Sequence, residues 1–157
     1  MTWMELIDEF LNRLKTDLRL HEDLIVERRN RYFLVRRTLR RFVQRDFYHA
    51  GAYLGKIKNG VFFPSFILLS MIAKQKANKV VVDGKTAWLF VCGRDIFKRG
   101  IVKMIGSKGT GDYTLILNRR GECLGFGKIT SSLNEGKNTV VVKNILDIGD
   151  FLRREKK

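Results

Sequence analysis

Gly121-Glu122-Cys123-Leu124-Gly125-Phe126-Gly127-Lys128-Ile129 is the stretch on which the fold turns. Glycines alternate there with bulky apolar residues, the pattern of a strand with one packed face and one face of bare backbone open to close approach. A second stretch, Asp147-Ile148-Gly149-Asp150-Phe151-Leu152-Arg153-Arg154-Glu155-Lys156-Lys157, reads as a helix with four basic residues in the last five positions. Cations there meet the negative end of the helix dipole and remain available to phosphates.

Around these two pieces, residues 79–157 break into short apolar runs at Val80–Val82, Ala87–Val91, Ile101–Ile105, Tyr113–Leu117, Cys123–Ile129 and Thr139–Val142. A turn is expected at Asp83-Gly84, a short helix near Asp95–Lys98 and the last helix from Asp147. Six short strands in so few residues predict a small barrel or sandwich.

The upstream half has a different rhythm. Thr2-Trp3-Met4-Glu5 has the form of a capping box, and Met4, Ile7, Leu11, Leu14 and Leu18 recur at helical spacing, predicting a helix from 3 to about 19 with an acidic outer face. Leu24–Glu27 and Tyr32–Val35 flank Arg28-Arg29-Asn30-Arg31 as a hairpin. A strand from about 51 to 58 should turn at Asn59-Gly60 into Val61–Phe63, and Pro64 suits the first position of an apolar helix running to Ala73. Gln75-Lys76-Ala77-Asn78 is the best boundary. The expected class is therefore α+β: an N-terminal α+β domain at 1–78, followed by a small β-pseudobarrel domain at 79–157.

Charge narrows the function. The 157 residues hold 31 Lys plus Arg against 16 Asp plus Glu, a formal +15, which favours polyanions as partners. Both halves are basic. Arg28, Arg29, Arg31, Arg36, Arg37, Arg40, Arg41 and Arg45 follow one another with no acidic residue between the first and the last. Arg36, Arg37, Arg40 and Arg41 are candidates for a secondary RNA or protein contact, beside the alternative of a solvated face partly paired with the acidic first helix. No apolar run is long enough to span a bilayer, and Glu5, Asp8 and Glu9 make the N-terminus unlike a signal peptide, so a cytoplasmic protein with no membrane partner is expected. Cys92 and Cys123 sit in apolar runs and read as two buried small hydrophobes. With His21 and His49 they form no metal spacing, so no metal or cofactor is expected.

No catalytic constellation emerges. Gly51-Ala52-Tyr53-Leu54-Gly55-Lys56-Ile57 is one residue short of a phosphate loop and ends in Ile where Ser or Thr is needed. Gly106-Ser107-Lys108-Gly109-Thr110-Gly111 lies between strands, not at a strand-to-helix turn.

Gly93-Arg94-Asp95-Ile96-Phe97-Lys98-Arg99-Gly100-Ile101, together with Leu124-Gly125-Phe126-Gly127, resembles the motifs of a PUA domain, a small RNA-binding pseudobarrel. With Ala50–Lys56, Phe63-Pro64-Ser65-Phe66 and Asp147–Arg154 added, nearly the whole chain resembles the NIP-seven family of large-subunit ribosome biogenesis factors in its archaeal form. The resemblance implies a non-enzymatic factor in pre-ribosomal RNA maturation. Its PUA domain would bind uridine-rich single strands, and its N-terminal domain would contact other assembly factors; a monomer is expected. The resemblance also places basic residues of the last helix on RNA, matching Arg153, Arg154, Lys156 and Lys157. Lys98 and Arg99 should extend that track, and Gly125 and Gly127 should let the RNA come close. Phe126 and Phe151 are assigned to the core. The alternatives are an RNA-modifying enzyme targeted by its PUA module, and a protein scaffold with incidental RNA contact.

Overall fold

The computed structural model describes residues 1–43, 47–107, 109–130, 136 and 139–155. Helix α1 (Trp3–Arg13) opens with the expected capping box: Glu5 N–H donates to the Thr2 hydroxyl at 3.2 Å and Thr2 N–H to the Glu5 carboxylate at 2.7 Å. It stops well short of residue 19, because Lys15 takes a left-handed φ of 52°. Asp17 N–H then donates to the Lys76 carbonyl.

Strands β1 (Ile25–Arg28) and β2 (Arg31–Leu34) form the expected hairpin, with Arg29 and Asn30 both at positive φ, as a two-residue turn between right-twisted strands requires. After the single turn α2 (Arg37–Arg40), β3 (Ala52–Lys58) and β4 (Val61–Pro64) repeat that geometry around Asn59-Gly60. The result is an antiparallel sheet in the order β1-β2-β3-β4. Pro64 does not open the helix. It ends β4 opposite Gly55, and Ser65 caps α3 (Phe66–Ala73), its hydroxyl accepting from Leu68 N–H at 3.1 Å.

The second sheet runs β6-β10-β9-β8-β5-β7 and is curled. Its strands are β5 (Lys79–Val82), β6 (Ile96–Phe97), β7 (Ile101–Ile105), β8 (Tyr113–Leu117), β9 (Cys123–Ile129) and β10 (Val140–Asp147). Among the described residues only β5 and β8 pair in parallel. Two expectations fail here. Ala87–Val91 is not a strand but the body of helix α4 (Gly84–Val91), since the Asp83 carboxylate accepts from Thr86 N–H at 2.7 Å and starts a helix where a turn was expected. Near Asp95–Lys98 the chain forms β6 and then a 3-10 turn at Lys98–Gly100 in place of a helix. The chain closes with α5 (Ile148–Glu155).

One hydrophobic cluster serves both sheets: Ile7, Phe10 and Leu11 of α1, Leu14 at its C-cap, and Leu68, Leu69 and Ile72 of α3 pack with Leu115, Leu117 and Phe126. Phe10 meets the edge of Phe126 at 5.3 Å between centroids. The Arg13 guanidinium donates to the Tyr113 hydroxyl at 2.6 Å and to the Gly111 carbonyl at 2.9 Å. Asn78, at the junction of the two sheets, is buried and fully engaged. Its amide donates to the Tyr113 carbonyl, its side-chain oxygen accepts from Ser107 N–H, and its backbone bonds Leu14 and Leu115. Among the described residues, no helix is long and apolar enough to cross a membrane.

Candidate nucleic-acid interface

The interface is built on the join between β10 and α5. Asp147, 3% exposed, ends the strand and caps the helix, its Oδ1 accepting from Asp150 N–H at 2.7 Å. The same carboxylate takes the Arg153 Nη2 at 3.3 Å and the Asn144 amide at 3.2 Å. Asn144 carries the contact outward: its amide also donates to the Phe90 carbonyl at 2.9 Å, and its N–H donates to the Asp95 carboxylate at 2.9 Å. Arg153 Nη1 donates to the Val91 carbonyl at 2.9 Å, where the negative end of the α4 dipole favours a cation. Helix α5 is thus latched onto the end of α4 by one buried carboxylate and one guanidinium.

Two glycines make the latch sterically feasible. A Cβ on Gly125, whose φ is +148°, would lie 1.9 Å from the Leu146 carbonyl oxygen, and one on Gly149 would lie 2.0 Å from that of Val91. The close approach expected at Gly125 and Gly127 is made here by backbone. Both are buried, and a Cβ on Gly127 would lie 2.6 Å from the Lys143 carbonyl oxygen, so the close approach they permit is that of β10. The pairing of β10 with β9 shifts register between Asn144 and Leu146, which turns Asp147 inward opposite Gly125.

The expected site residues separate into different roles. Arg153 is half engaged in the latch. Arg154 is exposed and pairs one helical turn back with Asp150 at 3.0 Å, a contact of only about 0.3–0.5 kcal/mol in solvent. Lys156 and Lys157 lie outside the described residues, as does Arg45 of the arginine run. Lys98 and Arg99 sit at the far end of the β6–β10 ladder, where Lys98 N–H donates to the Thr139 carbonyl. Eight steps of extended chain, roughly 25 Å, separate residue 139 from the Asp147 end of β10. The exposed Lys143 lies between them on that strand. Arg36, Arg37, Arg40 and Arg41 all stand exposed on and around α2, attached to the other sheet.

Aromatic side chains complete the surface, and sequence reasoning missed them. Phe126 is core, as expected, but Phe151 is 52% exposed beside Arg153 and Arg154. Trp88 is 69% exposed on the outer face of α4, and Phe97 is partly exposed with the Arg99 guanidinium over its ring at 5.2 Å. The signal for Trp88 was the Asp83 cap, which sets a helical phase in which Phe90 faces in and Trp88 out. Cys92 is also exposed, at the end of α4. Cys123 is the more covered thiol, and burial pushes its pKa up to about 11.

Residues 78–156 match the model of the UPF0113 PUA domain family. A UPF0113 protein of Archaeoglobus fulgidus is 31% identical over 116 residues, covering 69% of this chain and 64% of the relative, so the chain spans just under two thirds of that relative's length. A conserved PUA domain protein from Thermoplasma acidophilum superposes with a TM-score of 0.61 at 18% identity, covering 99% of this chain and 96% of that one. A PUA domain from Aeropyrum pernix K1 gives 0.60 at 18% identity, covering 97% and 86%. At such identities these two likenesses establish the fold, which extends over the N-terminal sheet as well as the curled one. The family match takes in half of the chain, including β10, α5 and the α4–β6 segment they hold, and this protein belongs to the UPF0113 PUA domain family.

Proposed function

We propose that this protein is a non-enzymatic RNA-binding factor that acts, as NIP-seven proteins do, in the maturation of large-subunit pre-ribosomal RNA. The observation that carries the reading is the alternation of exposed aromatic rings and cations along α4, β6 and α5: Trp88, Phe97 with Arg99, and Phe151 with Arg154. An extended single strand is the ligand that uses both, phosphates on the cations and bases on the rings, with stacking worth about 1–3 kcal/mol per base. Uridine-rich strands fit best because their weakly self-stacked bases lose least on being splayed onto protein. The N-terminal sheet then serves other assembly factors, and the protein works as a cytoplasmic monomer of archaeal type, without a cofactor.

The test is ultraviolet crosslinking of the tagged protein in growing cells, followed by sequencing of the attached RNA. The reading expects crosslinks concentrated in large-subunit ribosomal RNA and its precursor, at uridine-rich single-stranded segments. Crosslinks scattered in proportion to RNA abundance would overturn it, as would purified protein that chemically alters bases of a bound transcript.

A further inference from the structure

The RNA reading leaves one built feature unused. Behind α2 the chain forms a groove of about 430 Å³ lined by Val35, Leu39, Phe42, Val43, Phe47 and His49. Its floor is fixed. The Phe33 ring meets Phe47 at 5.4 Å and His49 at 5.1 Å, both edge to face, and Val35 N–H donates to the Leu24 carbonyl at 2.8 Å. Its lip is apolar and wet: Leu39 is 52% and Phe42 68% exposed. Large side chains left in water around a concave apolar floor mark an interaction site more often than a solvated surface.

The segment that carries the groove is rich in arginine. Residues 28–43 contain seven arginines and no acidic residue, and Arg36, Arg37, Arg40 and Arg41 stand exposed on α2 and at its ends, next in sequence to the lining residues Val35, Leu39 and Phe42. Arg41 lies over the Phe42 ring at 4.9 Å, and Arg37 meets Asp23 at 3.0 Å in an exposed pair that a second carboxylate can exchange at little cost. We propose that this groove docks an acidic amphipathic segment of a partner protein, with leucine or aromatic side chains filling the floor and flanking Asp or Glu taking forked bonds from the four arginines.

The lining decides between protein and RNA. Its walls mix branched Val35, Leu39 and Val43 with Phe47 and His49, whose rings are already engaged with Phe33, and the hollow they form suits a Leu or Phe side chain better than the flat face of a base. His49, the polar side chain among the described residues that line it, is within hydrogen-bond distance of the Gly51 carbonyl at 3.0 Å through Nε2 and is poorly placed to read base edges. The arginines alone would suit either polyanion; the concave apolar lining selects the peptide.

The test selects a library of random dodecapeptides on the intact protein at about 150 mM salt, where long-range attraction is largely screened. The enriched consensus is then measured by fluorescence anisotropy. Selected peptides should carry Asp or Glu around Leu, Phe or Trp. Both Leu39→Asp with Phe42→Asp and Arg40→Glu with Arg41→Glu should weaken their binding at least about tenfold. The first pair should leave affinity for a uridine-rich strand unchanged, which separates failure here from failure of the RNA reading. These side chains are exposed, so the melting midpoint should hold; should the aspartates lower it, Leu39→Asn with Phe42→Asn gives the same reading. Enrichment without acidic and apolar character, equal binding by the variants, or loss of RNA affinity in Leu39→Asp with Phe42→Asp would overturn the proposal.

Discussion

Arg153 and Asp147 form the latch that fixes the last helix: the guanidinium lies 3.3 Å from a carboxylate that is 3% exposed and, through its other nitrogen, holds the Val91 carbonyl at 2.9 Å. One cation of the basic tail is therefore structural, and the tail's contribution to binding must be measured without disturbing it. Asp147→Ala removes the cap on Asp150, the carboxylate partner of Arg153 and one acceptor of the Asn144 amide, at a cost of about 2–4 kcal/mol. Arg153→Ala costs less, about 1 kcal/mol, because the arginine is half in water. In both variants, amide exchange should quicken through α5 and hardly at all in α1. An α5 that exchanges as in wild type would remove the latch.

Gly125→Val should abolish the fold and not merely the RNA contact. The added Cβ would lie 1.9 Å from the Leu146 carbonyl oxygen and 2.9 Å from the Asp147 Cα, both backbone atoms, and the φ of +148° is strained for a branched residue. The expected loss exceeds about 4 kcal/mol, read as the absence of a cooperative melting transition. A variant that melts normally would show that β10 does not close on β9 at this point.

Asp83 gives a pH signature. Hydrogen bonds from Thr86 hold its carboxyl below the ordinary value. A group with a lowered folded-state pKa stabilises the protein above the unfolded value and loses that contribution as pH falls through the folded one. The stability gap between wild type and Asp83→Ala, about 1 kcal/mol for a lost cap, should be full above about pH 5 and shrink below about pH 4. Denaturant titrations of both proteins at a series of pH values read it directly. A gap that does not change with pH would mean the charge of Asp83 does not act on α4.

The cysteines should separate in reactivity. Cys92 is exposed, while Cys123 is held largely protonated by burial and lies 3.5 Å from the Gly125 carbonyl. Iodoacetamide at neutral pH should add one label to the native protein and two after denaturation, counted by mass. Prompt double labelling of the native protein would mean that β9 opens readily.

How far the sequence could be read depended on whether local chemistry settled the question. The first hairpin was legible because branched and aromatic runs flank the polar group Arg28–Arg31, the second because Asn59-Gly60 tolerates positive φ, and the first helix start because Thr2 and Glu5 cap reciprocally. Asp83-Gly84 was not, since the same residues start turns and helices, and the choice fell to a helix packing Phe90 inward. That one difference moved Trp88 from a sheet to the solvent. The spacing of Gly125 and Gly127 announced a close approach, but only the pairing with β10 reveals what approaches. Phe151 looked like core by residue type, and its exposure is set by how α5 docks, with Gly149 and Arg153 and not Phe151 turned to the end of α4.

The most direct measurement compares binding of uridine-rich and adenine-rich single strands, over a salt series, by wild type and by Arg154→Ala with Lys156→Ala and Lys157→Ala, leaving Arg153 in place. The account predicts a preference for uridine in wild type. In the variant it predicts weaker binding, with a logarithmic salt slope smaller by about 0.7 for each phosphate that the protein no longer neutralises, at an unchanged melting midpoint. Equal affinity and equal slope in the two proteins would contradict it and take RNA away from α5.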